Sequence, residues 1–179
     1  MSFPRSALLA FLLAVSGLWS APTLGDRYAI TPQTVIDRDT GLMWMRCVVG
    51  QHFSAQSGQC EGQMVSLSWP DARQLRVEVG GYDDWRLPTD RELRSLVYCS
   101  SGDPVAIGMT RPYTACQGSY DRPTLWPDAF GSLPTWGVWS GSEHSGYPGT
   151  VWYLYLYNGF IGHYNQWERF HLLMVRDHK

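Results

Sequence analysis

The sequence predicts an α+β fold, and three observations carry that reading: two helix starts in the middle of the chain, a β pair before them and an antiparallel meander after them. The sharper helix start is Thr89-x-x-Glu92. The Thr89 hydroxyl can accept from the Glu92 amide while the Glu92 carboxylate reaches back to the Thr89 amide. Pro88 holds the residue before it extended and so marks the boundary. The sharpest turn is Asn158-Gly159, the strongest two-residue hairpin signal, between the strand-like runs 150–157 and 160–166.

Residues 1–21 have the make-up of a secretory signal. Arg5 is the sole charge, Ala7 to Trp19 is mostly apolar, and Ser20-Ala21 supplies small residues before Pro22. The run is shorter than the roughly 20 apolar residues that span a bilayer. Cleavage near Ala21 is expected to leave residues 22–179 as a single domain without a membrane span. The formal charge of −2 becomes one unit more negative without Arg5. No basic excess exists to draw nucleic acid or an anionic membrane surface.

Four cysteines in an exported chain read as two disulfides. Sequence alone permits three pairings. The local one, Cys47 with Cys60 and Cys99 with Cys116, is favoured because each pair brackets a loop rich in Gly, Ser and Gln. A four-thiolate metal site would need gaps of about two to four residues, which none of these spacings supplies. No metal or cofactor is expected.

The elements follow in order. Residues 33–37 read as a strand, Asp39-Thr40-Gly41 as a turn, and 42–49 as a second strand, with Leu42, Trp44 and Arg46 on one side and Met43, Met45 and Cys47 on the other. Ser68-x-x-Asp71, with Pro70 in the first turn, predicts a helix running toward Val79, with Trp69, Ala72, Leu75 and Val79 on one face and Gly80-Gly81 as its stop. A corner of Asp83, Asp84, Trp85 and Arg86 leads to the Thr89–Glu92 capping box. Arg86 is expected as a partly buried ion pair with the neighbouring carboxylates. The second helix is predicted over 90–98, burying Leu93, Leu96 and Val97. Residues 100–134 show no period and read as a long loop, of the kind that often carries function. Short strands are expected at 138–140 and 170–176.

The turn at Asn158-Gly159 sets a register that pairs Tyr157 with Phe160, Tyr155 with Gly162 and Tyr153 with Tyr164. One face then carries Trp152, Leu154, Leu156 and Ile161, the natural core side. The other carries Tyr153, Tyr155, Tyr157, Phe160 and Tyr164, apolar rings with polar tips suited to a half-wet surface. Sugar C–H faces pack on such rings while their hydroxyls meet polar groups, here Asn165, Gln166 and Glu168. The plainer reading is that tyrosine is a good strand former, whose cross-strand pairs stabilise a hairpin by up to about 1 kcal/mol. Of the nine tryptophans, Trp126 and Trp136 lie in Gly/Pro-rich loops and are the surface candidates. No active site stands out. Ser140-Gly141-Ser142-Glu143-His144 lacks the Gly-x-Ser-x-Gly elbow, and His52, His144, His163, His171 and His178 have no ligand spacing.

Taken in order, several motifs resemble the bacterial Lcl C-terminal domain family: Val35-Ile36-Asp37 with Thr40-Gly41-Leu42-Met43-Trp44; Cys47 with Cys60; Gly81-Tyr82-Asp83-Asp84-Trp85-Arg86-Leu87-Pro88-Thr89; Trp139-Ser140-Gly141-Ser142; and Val151-Trp152-Tyr153 with Asn158-Gly159. The resemblance spans about Tyr28 to Arg176. It implies a C-type-lectin-like domain, two helices packed on antiparallel sheet with long loops, and its name points to adhesion. The Arg-Leu-Pro-Thr corner is also similar to that of formylglycine-generating enzymes, which implies an oxidase. All four cysteines here precede residue 117, so the catalytic cysteine pair near the C-terminus is missing. The expectation is a bacterial periplasmic or secreted, non-enzymatic module that binds a glycan or an envelope or cell-surface protein through Tyr153, Tyr155, Tyr157, Tyr164 and Trp136. Self-association is left open. The rival is a protein-interaction or structural role in the envelope.

Overall fold

Two sheets are seeded at opposite ends of the chain and are joined by its last strands. The computed structural model describes residues 24–106, 113–130 and 132–178, so the predicted signal segment 1–21 lies outside the described residues. In chain order they form α1 (Leu24–Arg27), β1 (Tyr28–Ile30), β2 (Thr34–Asp37), β3 (Leu42–Met45), β4 (Gln51–Ser54), β5 (Gln59–Gly62), β6 (Ser66–Leu67), α2 (Trp69–Ala72) and α3 (Asp90–Ser95). Then come β7 (Val105–Ala106), β8 (Thr114–Ala115), α4 (Pro127–Phe130), β9 (Gly137–Glu143), β10 (Thr150–Tyr155), β11 (Phe160–Asn165), β12 (Phe170–His171) and β13 (Val175–Asp177). The protein is α+β, mostly strands with short helices. The two predicted helices are present but short, and α1 and α4 add to them.

The first sheet has the order β1-β2-β3-β13, all antiparallel. The predicted Asp39-Thr40-Gly41 turn closes β2 on β3, with the Gly41 amide donating to the Asp37 carbonyl at 2.9 Å. All four residues of β3 are buried. The expected in-and-out alternation is absent because β3 is an interior strand covered on both faces, as continuous apolar runs allow. Buried Asp37 takes two bonds from Arg27, at 2.9 and 2.6 Å, and Arg27 also donates to the Ser95 carbonyl, tying this sheet to the end of α3.

The second sheet has the order β11-β10-β9-β12-β6, with only the β12–β9 pair parallel. Residues 170–176 were expected as one strand. They divide instead: Phe170–His171 pairs with β6 and β9, and Val175–Asp177 pairs with β3. Leu172, Leu173 and Met174 between them are fully buried. An apolar run of this length fits one strand or a crossover equally well, and burial decides for the crossover.

The first predicted helix is corrected more sharply. It ends at Ala72, and the amides of Gln74 and Leu75 bond to carbonyls three residues back, the tight closing turn of a helix. From Leu75 to Val79 the odd residues are half-buried and the even ones exposed. That is period two, which Leu-Arg-Val-Glu-Val spells directly. Ser68 does not cap the backbone; its hydroxyl donates to the Asp71 carboxylate at 2.6 Å. The second helix ends at Ser95 rather than Tyr98.

The described residues between 100 and 134 are not structureless. They hold the small β7–β8 hairpin and α4, and Phe130 and Leu125 enter the core. Cys47–Cys60 and Cys99–Cys116 are both disulfides. The first braces the β4–β5 hairpin, which the sequence reading missed. No helix among the described residues is long and apolar enough to cross a membrane.

Candidate functional site

The hairpin of β10 and β11 is offset from its predicted register by two residues. Tyr155 faces Phe160, Tyr153 faces Gly162 and Val151 faces Tyr164, with 156–159 as a four-residue connection. A shift of two leaves every side chain on its predicted face, because the strand period is two. Leu154, Leu156 and Ile161 are fully buried and form the core side. On the opposite side Tyr153 and Tyr155 are half-buried, while Tyr157 is 40% and Tyr164 49% exposed.

On that face the rings fall into two groups, Tyr155 with Tyr157 and Tyr153 with Phe160 and Tyr164. Tyr155 and Tyr157 lie 5.9 Å apart, and Tyr153 meets Phe160 at 6.2 Å and Tyr164 at 6.3 Å, both edge-on. Phe170 of β12 joins from the next strands, 4.8 Å from Tyr153 and 5.9 Å from Tyr164. Sequence reasoning did not place Phe170 here, since its strand pairs across the sheet from the hairpin. Two glycines make the surface flat. A side chain at Gly137 would meet Tyr153 and Phe170, and one at Gly162 would collide with the Phe160 ring. The Arg122 guanidinium lies 4.0 Å from the Tyr157 ring centroid and 5.0 Å from that of Tyr120, extending the row with a cation. Burial, and after it the neighbouring Tyr164 and Tyr155, push the Tyr153 hydroxyl above its ordinary value, so it stays protonated and can both donate and accept.

Trp136 is 64% exposed, and its carbonyl accepts from the Leu156 amide at 3.2 Å. Among the described residues it makes no ring contact with the tyrosines, so it flanks the row and does not belong to it. Asn165 faces Thr150 on the other side of the ribbon, and its carboxamide oxygen accepts from the Trp167 amide. It is not a polar partner for the tyrosine face.

The corner is clamped to the last strand. Arg86 and Val175 exchange backbone bonds at 2.9 and 3.0 Å. Arg86 also binds Glu92 through both nitrogens, at 2.9 and 2.8 Å, and Asp177 at 3.1 Å. Its expected partners were Asp83 and Asp84. Asp84 instead grips Arg176 in a two-bond pair, and Asp83 stands exposed on the turn. Trp85 is buried and its indole donates to the Val79 and Tyr82 carbonyls. The Thr89–Glu92 capping box is present in both directions. Burial works to raise the Glu92 carboxyl, but the bonds from Arg86 and Thr89 outweigh it and hold the group below the usual range.

A second aromatic cluster, unseen in the sequence, closes the turn between β9 and β10. The His144 and His163 rings lie 4.2 Å apart, with Tyr147 stacked on His163 at 4.8 Å and Trp152 4.6 Å from His144. The Thr150 hydroxyl donates to the Tyr147 carbonyl at 2.7 Å, which leaves its oxygen to accept from His163 Nδ1 at 3.0 Å. Burial first, then the nearby His144, lowers the His163 pKa. No group of three or more His, Cys, Asp or Glu that could hold a metal occurs among the described residues. This is a packing cluster, and the cue in the sequence was two histidines bracketing Trp152 in the strand pair.

The sequence profile of the Lcl C-terminal domain matches residues 33–176. The chain belongs to the Lcl C-terminal domain family. The matched span begins just before β2 and ends within β13, so it takes in the second sheet, the first sheet apart from its edge strand β1, both disulfides, the corner and the tyrosine face. No curated protein and no solved structure matches the chain.

Proposed function

We propose that this Lcl C-terminal domain is an exported, non-enzymatic binding module of C-type-lectin-like architecture that holds a polysaccharide on its tyrosine face. One observation carries the reading: Tyr153, Tyr155, Tyr157 and Tyr164 lie on one face of the hairpin with Phe160 and Phe170, in two ring groups, and two of the four are 40% or more exposed. Rings on rigid strands above a packed core offer a flat apolar platform at low entropic cost, with phenol tips for hydroxyl groups. Two disulfides and the leader-like first residues support a site of action outside the cytoplasm, in the periplasm or beyond.

The test is the double variant Tyr155→Ala/Tyr157→Ala, examined by retention on immobilised polysaccharides and on a glycan array. Retention is expected to fall at least tenfold, about 1.4 kcal/mol, while the thermal midpoint moves by only a few degrees because both side chains are partly exposed. Unchanged retention would remove the hairpin from the site. Capture of one envelope protein by the same face, with no sugar signal, would favour a protein partner instead.

A further inference from the structure

A cleft of about 410 Å³ opens between α2 with its following turn and the Trp85 corner. Its floor is apolar: Ala72, Trp85 and Met174 are buried and Leu87 is half-buried. Its rim is charged with both signs. Arg73 and Arg76 come from the α2 side, and Asp83, Asp84 and Arg86 from the corner side.

These charges divide into two groups. Asp84 is neutralised by Arg176, and Arg86 by Glu92 and Asp177; these pairs fix the shape of the cleft. Arg73, Arg76 and Asp83 have no ion-pair partner among the described residues. The Arg73 guanidinium rests 4.6 Å from the centroid of the Trp69 ring, and Arg76 donates to the Leu75 carbonyl at 3.0 Å. Both keep further N–H donors for a ligand, since a guanidinium carries five.

We propose that this cleft binds a small zwitterion with an apolar body, of the class of a free amino acid or dipeptide. Its carboxylate sits on Arg73 and Arg76, its ammonium on Asp83, and its side chain over Trp85 and Leu87. The guanidinium fork matches a carboxylate geometrically. The size falls in the range of about 300 to 1,000 Å³ usual for small-ligand sites. Opposite charges across an apolar floor select against neutral molecules, which leave the rim unpaired, and against simple anions, which leave Asp83 unpaired. The site is separate from the tyrosine face and stands or falls without it.

The experiment is an amide-resonance titration of the folded, oxidised protein with L-alanyl-L-leucine. Three comparison ligands accompany it: the N-acetyl dipeptide, the dipeptide amide, and the dipeptide capped at both ends. Saturable shifts are expected at Ala72, Leu75, Trp85 and Leu87 with the free dipeptide, with binding at least tenfold weaker for each capped form. Arg73→Gln/Arg76→Gln and Asp83→Asn should each weaken the free dipeptide at least tenfold, and Arg73→Lys should weaken it less than Arg73→Gln. All these side chains are exposed, so the unshifted remainder of each spectrum reports an intact fold. Absence of saturable shifts, equal binding of the doubly capped form, or equal binding of the N-acetyl form would overturn the proposal; the last would reduce the cleft to a plain anion site. The Tyr155→Ala/Tyr157→Ala variant should bind the dipeptide normally.

Discussion

Glu92 concentrates several jobs in one carboxylate. It takes both bonds from Arg86 and closes the capping box on the Thr89 amide. Glu92→Gln keeps the shape but gives up the charge-assisted pair, and is expected to cost about 1–3 kcal/mol, read from urea midpoints at neutral pH. The pH dependence has a definite sign. The folded carboxyl titrates below the unfolded value of 4.5, so its stabilisation is complete above that pH and is lost as pH falls through the folded value. The wild type should lose its advantage over Glu92→Gln as the pH is taken progressively below 4.5. A constant difference between the two across that range would mean the pair contributes nothing. The capping box was legible in the sequence because its partners are three residues apart. The Asp84–Arg176 pair was not, because its partners are 92 residues apart and the nearer Arg86 looked sufficient.

Among the elements, the β10–β11 hairpin shows why a turn can be placed correctly and its register misjudged. Asn158-Gly159 is at the turn, but the connection runs from Leu156 to Gly159 and the first facing pair is Tyr155 with Phe160. Gly159 has φ of 68°, and an added methyl would stand 2.6 Å from Val97 Cγ1. Gly159→Ala therefore combines left-handed backbone strain with a clash, and is expected to cost about 2–4 kcal/mol. Chemical denaturation measures it; a loss below about 0.5 kcal/mol would place it among ordinary surface changes. The predicted face survived the shift because parity did. The helix over 69–79 failed for a related reason: Trp69, Ala72, Leu75 and Val79 fit a helical stripe, while Leu75, Val77 and Val79 fit a strand equally well. The two β-branched residues favour the second pattern.

At the scale of the whole molecule, the class α+β could be read from the order of elements, but the way the halves join could not. Residues 170–177 serve both sheets, and the buried Leu172, Leu173 and Met174 fill the step between them. Leu173→Ala should cost about 2–5 kcal/mol and lower both sheets together in one cooperative transition. Two separate transitions, seen as non-coincident fluorescence and circular dichroism curves, would show that the sheets are independent. The shared closing segment also bears on how the chain is made. A polypeptide emerging N-terminus first cannot complete the outer edge of one sheet, or attach β6 to the other, until residues 170–177 are free. Neither sheet can therefore reach its full width before that segment is available, and the two close in the same step.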